Sequence, residues 1–216
     1  MNRRKAPVRG KFITLEGVEG VGKSTHLEFI SGYLRDRGIA VLVTREPGGT
    51  PGADEIRNTL LAIRTESFQP MAELLLMFAA RALHVDNVIR PALAAGTWIV
   101  CDRFTDASYA YQGGGRGIAA SVIAALERMV LKGLRPDLTI LLDARIEVSM
   151  ARARKRGVLD RFEQEQDEFF KRVRRVYLAR ARREPRRIKI VNAGGGIVDV
   201  QAEITALLNK RLARWK

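Results

Sequence analysis

Residues Gly17-Val18-Glu19-Gly20-Val21-Gly22-Lys23-Ser24, followed by Thr25, fit the spacing G-x-x-x-x-G-K-[ST] without a gap. Each residue type in that pattern has a task in holding a polyphosphate. Glycines let the backbone fold around a phosphate with successive N–H groups pointing inward. A helix opening near Ser24 adds the positive end of its dipole. Lys23 is spaced to reach the β- and γ-phosphates, and the Ser24 hydroxyl suits a Mg²⁺ ion. The block from Gly17 to Thr25 is therefore expected to cradle a nucleoside triphosphate. A carboxylate, Asp102, ends the run Trp98-Ile99-Val100-Cys101. At the end of a strand beside such a loop it is placed to share the metal with Ser24, usually through water. Arg103 follows and puts a cation where a second anion would sit.

These groups need a scaffold, and the hydrophobic periodicity describes one. Short apolar runs alternate with helical spacing, the pattern of an α/β domain. Phe12 to Leu15 reads as a buried strand closed by Gly17. Leu27, Ile30, Ser31 and Leu34 recur at helical spacing, with Gly38 as the stop. Further strands are expected at Ile39–Val43, Trp98–Cys101, Leu138–Leu142 and Ile188–Val191. A long helix is expected over Met71–Ala95, bent near Pro91, and a last one through Ile204, Leu207 and Leu208. The expected fold is a five-stranded parallel sheet with helices on both faces. Residues 1–10 read as a basic arm and 11–216 as one domain. The stretch from Arg145 to Arg187 reads as two exposed helices around a mobile, arginine-rich lid at 152–166.

Composition narrows the function classes. Of 216 residues, 46% are hydrophobic and 29% charged, which excludes disorder over the whole length. The single cysteine, Cys101, excludes an internal disulfide framework and points to a reducing, cytoplasmic compartment. No uncharged apolar run approaches the ~18 residues of a membrane span, and the basic start lacks the apolar stretch of a secretory signal. The net charge of +14 suits either nucleic acid or small polyphosphates gathered into a cleft. No aromatic-interleaved basic stretch offers base stacking, and the third strand ends in Asp-Arg where many nucleic-acid-dependent ATPases carry Asp-Glu. Nucleic acid is accordingly the weaker expectation, and no membrane association is expected.

Several further motifs are more discriminating. Thr44-Arg45-Glu46-Pro47-Gly48-Gly49-Thr50 is followed by Ile56-Arg57, and Asp102-Arg103 by Ser108, Tyr111 and Gln112-Gly113-Gly114-Gly115-Arg116-Gly117. Arg135-Pro136-Asp137-Leu138-Thr139 and Asp160-Arg161 with Glu163 complete the set. Together with the phosphate loop they resemble the thymidylate kinase family over nearly the whole chain beyond the arm. The resemblance implies Mg²⁺-dependent transfer of the γ-phosphoryl group of ATP to dTMP, a step toward dTTP, by a homodimer. Another acceptor on the same fold is the competing enzyme reading.

It also implies roles. Arg45 and Arg103 would hold the acceptor phosphate, with Arg57 nearby, and Glu19 would bond the 3′-hydroxyl. Arg81 and Gln112 would contact thymine, with Ser108 adjacent, and Tyr111 would crowd out a 2′-hydroxyl. Gly20 stands where some members carry a catalytic arginine, so that cation would come from the lid, with Arg154, Arg156 and Arg161 as candidates. Lys23 and Arg103 complete the catalytic set. The family places Phe four residues before the base-contacting arginine; here Met77 stands there and Phe78 comes one later. Positions three and four back share a helix face, so Phe78 is the expected stacking ring, with Met77 as the alternative. His26 and His84 have no partner at metal-ligand spacing and receive no role.

Overall fold

The computed structural model describes residues 9–63, 65–155, 161–162 and 165–215. Its sheet is built from β1 (Phe12–Glu16), β2 (Val41–Arg45), β3 (Trp98–Asp102), β4 (Leu138–Asp143) and β5 (Ile188–Asn192). The order is β2-β3-β1-β4-β5, and each neighbouring pair is parallel. Helices α1 (Lys23–Arg35), α8 (Asp167–Arg183) and α9 (Ile197–Trp215) supply one apolar layer, which takes up Ile13, Leu15 and Val100. Phe12, Ile99 and Cys101 alternate to the other face and meet Val85, Ile89 and Leu93. Strands buried on both faces explain the continuous apolar runs.

The remaining helices are α2 (Pro51–Leu61), α3 (Pro70–His84), α4 (Arg90–Ala94), α5 (Thr105–Ser108), α6 (Ala120–Leu131) and α7 (Ile146–Arg154). The long helical stretch around Pro91 bends as expected, with an identifiable cause. Between α3 and α4 lies a π-helical turn, Val85–Ile89, in which the Arg90 N–H reaches back to the Val85 carbonyl. Pro91 has no N–H to donate, and widening the turn ahead of it avoids a break.

Two expectations are corrected. β2 starts two residues later than the apolar run suggests, because the Ile39 N–H bonds the Leu34 carbonyl and closes the end of α1. The helices flanking the lid are not simply exposed. α8 buries Phe169, Phe170, Val173, Tyr177 and Ala181, and packs against the π-helical segment Tyr109–Gly115. A Cβ on Gly115 would lie 2.4 Å from the Phe169 ring, so only glycine lets these elements approach so closely. α7 likewise buries Ile146, Ser149, Met150 and Ala153. Among the described residues, no helix is long and apolar enough to cross a membrane.

Candidate active site

The carboxyl ends of β1 and β3 deliver the site. Beyond Glu16 the chain turns through Gly17, Gly20 and Gly22, all at positive φ, into α1 at Lys23. A Cβ on Gly20 would lie 1.9 Å from the Ser149 carbonyl oxygen, so the loop rests backbone to backbone on α7. Lys23 Nζ donates to the carbonyls of Gly17 (3.2 Å) and Val18 (3.0 Å). Burial, with the neighbouring Arg103 guanidinium, pushes Lys23 down to about 8. Val18 and Val21 turn their side chains into the core. The hollow above the loop is lined by Glu19, Gly20, Gly22, Lys23, Ser24 and Thr25, closed opposite by Arg57, Asp102, Arg103 and Arg152. Asp102 Oδ1 is buried and has no hydrogen-bond partner among the described residues. An orphaned carboxylate oxygen lining the same hollow as a serine hydroxyl is a donor set that fits a hard cation. The hollow continues past Gly22, Thr25 and Arg152 to Val21, His26, Ala193 and Ile197.

A second cleft, of about 560 Å³ counted to its open mouth, lies on the other side of Arg103. Its polar wall is Glu46, Arg81, Ser108 and Gln112, and its apolar wall includes Pro47, Leu61, Met77, Phe104, Tyr111 and Phe162. Arg81, 3% exposed, donates to Glu46 Oε2 (2.7 Å), Ser108 Oγ (3.0 Å) and the Phe104 carbonyl (3.2 Å). Gln112 Nε2 donates to the buried Glu73 (3.0 Å).

Glu19, Arg57 and Arg103 line both hollows. Arg103 sits at φ 68°, a left-handed conformation unusual for a side-chain-bearing residue. Glu16 holds the turn by accepting the Phe104 N–H (2.7 Å) and the Tyr177 hydroxyl (2.7 Å). Burial, then the charge of Asp106, pushes Glu16 up to about 8. So anchored, Arg103 donates to Glu19 (2.7 Å), the Tyr111 hydroxyl (3.0 Å), the Tyr177 hydroxyl (3.2 Å) and the Gly17 carbonyl (3.0 Å). Burial works to raise the Glu19 pKa, but Arg103 and Lys23 hold it below the ordinary carboxylate value. Glu19 also accepts the Tyr111 hydroxyl at 2.6 Å.

Lys23, Ser24, Glu19, Arg57, Arg81, Asp102, Arg103, Ser108, Tyr111 and Gln112 are thus brought together. Other expected residues stand elsewhere. Arg45 is exposed, pairs with Asp54 at 3.2 Å, and lines a separate groove with Leu27 and Val88. Phe78 is 2% exposed and packs with Leu74 and Ile123, beneath the Arg81 guanidinium; Met77, one helix position earlier, lines the cleft. Arg154 pairs with Asp167 at the surface. Arg161 donates to Glu73 (2.6 Å), which also accepts from Gln112, and to the Leu60 carbonyl (3.0 Å). Arg156 lies outside the described residues. Arg152 and Phe162 were missed. Both are brought in by tertiary packing, Arg152 where α7 meets the phosphate loop and Phe162 against Tyr111.

The family profile for thymidylate kinase matches residues 15–204. A thymidylate kinase of Pseudomonas putida (strain GB-1) is 56% identical over 199 residues, covering 92% of this chain and 95% of that protein. One from Chromohalobacter salexigens is 55% identical over 208 residues, covering 95% and 98%. The crystal structure of thymidylate kinase from Ehrlichia chaffeensis superposes with a TM-score of 0.76 at 32% identity, covering 93% of this chain and 99% of that one.

Proposed function

From membership of the thymidylate kinase family, to which this chain belongs, we infer that it transfers the γ-phosphoryl group of ATP to dTMP, giving dTDP and ADP. The observation that carries the reading is the shared wall: two clefts meet at Glu19, Arg57 and Arg103, so two nucleotides can lie end to end across it. A non-bridging oxygen of the dTMP phosphate attacks the γ-phosphorus as the bond to the β-phosphate bridge breaks. That oxygen is already ionised at neutral pH, so no general base is required. Catalysis is positioning and charge neutralisation.

In this assignment Gly17 to Thr25 bind the triphosphate, and Arg103 and Arg57 hold the acceptor phosphate. Arg81, Ser108 and Gln112 contact the base against Met77 and Phe162. Glu19 bonds the 3′-hydroxyl and Tyr111 stands against the 2′ carbon. Ser24 and Asp102 would hold Mg²⁺, an assignment supported by Asp102 Oδ1, which is buried without a partner among the described residues. When bound, that ion neutralises the phosphate oxygens that must approach each other. Arg154 and Arg161 are engaged elsewhere, so the reading favours Arg156 as the lid cation, with Arg152 on the donor side. The lid at 152–166 belongs to the single domain, residues 11–216. A cytoplasmic location is supported by the lone, buried Cys101.

A homodimer is supported by α3, whose Met71, Leu75, Ala79 and Leu83 fall four apart and are all exposed, an apolar stripe of the kind that marks association. Sedimentation velocity is expected to show a dimer that Leu75→Glu dissociates; a monomeric parent protein would refute it. The activity itself is tested by following ADP release from ATP and Mg²⁺ with each nucleoside monophosphate in turn. dTMP is expected to be turned over fastest. Stimulation by DNA or RNA with no response to dTMP would overturn the reading.

A further inference from the structure

We propose that His84 and Glu46 form a positioning relay for the acceptor base, with His84 orienting Glu46 and Glu46 orienting Arg81. The proposal deepens the functional reading, since it rests on Arg81 meeting the pyrimidine.

Glu46, Arg81 and His84 are 4%, 3% and 0% exposed. The plane and aim of a buried guanidinium are set by the acceptors that take its N–H groups. Here Glu46 Oε2 takes the Nε–H at 2.7 Å, Ser108 Oγ takes one terminal N–H at 3.0 Å, and the Phe104 carbonyl takes another at 3.2 Å. A guanidinium carries five N–H groups, so two are left with no bond among the described residues to meet a carbonyl in the cleft.

Glu46 is itself placed by His84. Its second oxygen, Oε1, lies 3.0 Å from His84 Nδ1, while Thr44 Oγ lies 2.7 Å from His84 Nε2. An ionised carboxylate only accepts, which makes Nδ1 the protonated nitrogen. Nε2 bonds the Thr44 hydroxyl in turn, and the chain Thr44–His84–Glu46–Arg81 is hydrogen-bonded from end to end. The ring also carries the loop that forms the cleft wall. A Cβ on Gly49 would lie 2.6 Å from His84 Cδ2 and Nε2, so the turn after Pro47 rests directly on the imidazole. One side chain therefore supports both the counter-ion of Arg81 and the strand-end loop bearing Pro47. Neither Glu46 nor His84 is assigned to touch the reacting phosphates, so the relay should govern dTMP binding far more than the transfer step.

The test is a double-mutant cycle read by steady-state kinetics. His84→Phe keeps a ring of similar size but offers neither polar atom. It is expected to raise KM for dTMP about tenfold, in line with losing one hydrogen bond to a charged group, with kcat reduced less than about threefold and KM for ATP unmoved. His84→Gln, with an amide donor for Glu46 and a carbonyl acceptor for Thr44, should recover most of the loss. In an Arg81→Ala background His84→Phe should add nothing, because the relay acts only through the arginine. A general packing role would show the same factor in both backgrounds, and that additivity would overturn the proposal. So would an unchanged KM for dTMP in His84→Phe with Arg81 intact. Arg81→Ala alone reports separately on the base contact; a wild-type KM there removes that reading and the relay with it. If His84→Phe does not fold, Thr44→Val serves, being isosteric on a strand. It should raise KM for dTMP only when Arg81 is present, and an equal rise without Arg81 again overturns the relay.

Discussion

Arg103→Ala is expected to lower kcat for dTMP phosphorylation by about 10³-fold, a loss of the order that follows when a fixed cation is removed from between reacting phosphates. Arg103 is common to the two hollows, and its aim is fixed from several sides. Its guanidinium is bonded to Glu19, Tyr111, Tyr177 and the Gly17 carbonyl, while its left-handed backbone is held through Glu16 and the Phe104 N–H. Lysine is not a substitute, because a point charge cannot reproduce a planar fork with partners on several sides. The pH profile should move as well. Lys23 is pushed to about 8 first by burial and then by Arg103. It must be protonated to act, so wild-type kcat/KM for ATP should fall as pH rises through that value. Removing Arg103 removes one of the two causes, and the alkaline limb should shift upward. Circular dichroism checks that the variant is folded; a folded Arg103→Ala enzyme within tenfold of wild-type kcat would refute the role.

What could be read from the sequence, and what could not, follows from the range of the forces involved. The phosphate loop was legible because its chemistry is local: backbone N–H groups, a helix start and a lysine lie within one turn of chain. Asp102-Arg103 and Tyr111-Gln112 were legible for the same reason, each being fixed by a strand end and the segment after it. Arg45 was not. The strand ends there, and it is Glu46 that turns inward to Arg81 while Arg45 meets Asp54 outside. Met77 and Phe78 differ by one helix position, about 100° of rotation, and only the packing of Ile123 of α6 against Leu74 and Phe78 of α3 decides which one faces the cleft. α8 was hidden by composition. Arginines on its outer face mask five buried positions that read clearly once the helix is placed. Arg161 was placed by a carboxylate, Glu73, 88 residues away, and no local pattern predicts such a pairing.

Gly20→Ala is the second change with a large expected effect, and its cause is geometric. Gly20 has φ 74°, and a Cβ would lie 1.9 Å from the Ser149 carbonyl oxygen, 2.8 Å from its carbon and 3.0 Å from the Ala153 nitrogen. All three are backbone atoms of α7, so no side chain can swing aside; either the loop or the helix must move. Left-handed strain costs about 1–2 kcal/mol and overpacking about 1–3 kcal/mol. At roughly 2–4 °C per kcal/mol for a domain of this size, the melting temperature should fall by about 4–20 °C. The loop that holds the triphosphate is displaced with it, so kcat/KM for ATP should drop about 100-fold. Gly38→Ala separates the two causes. Gly38 has the same φ of 74°, but a Cβ there meets nothing within 4 Å. It carries the strain without the collision, and should lose only a few degrees with unaltered kinetics. The difference between the two variants isolates the contact with α7. If Gly20→Ala melts with Gly38→Ala and keeps its affinity for ATP, the loop holds its shape without that helix, and α7 is not its support.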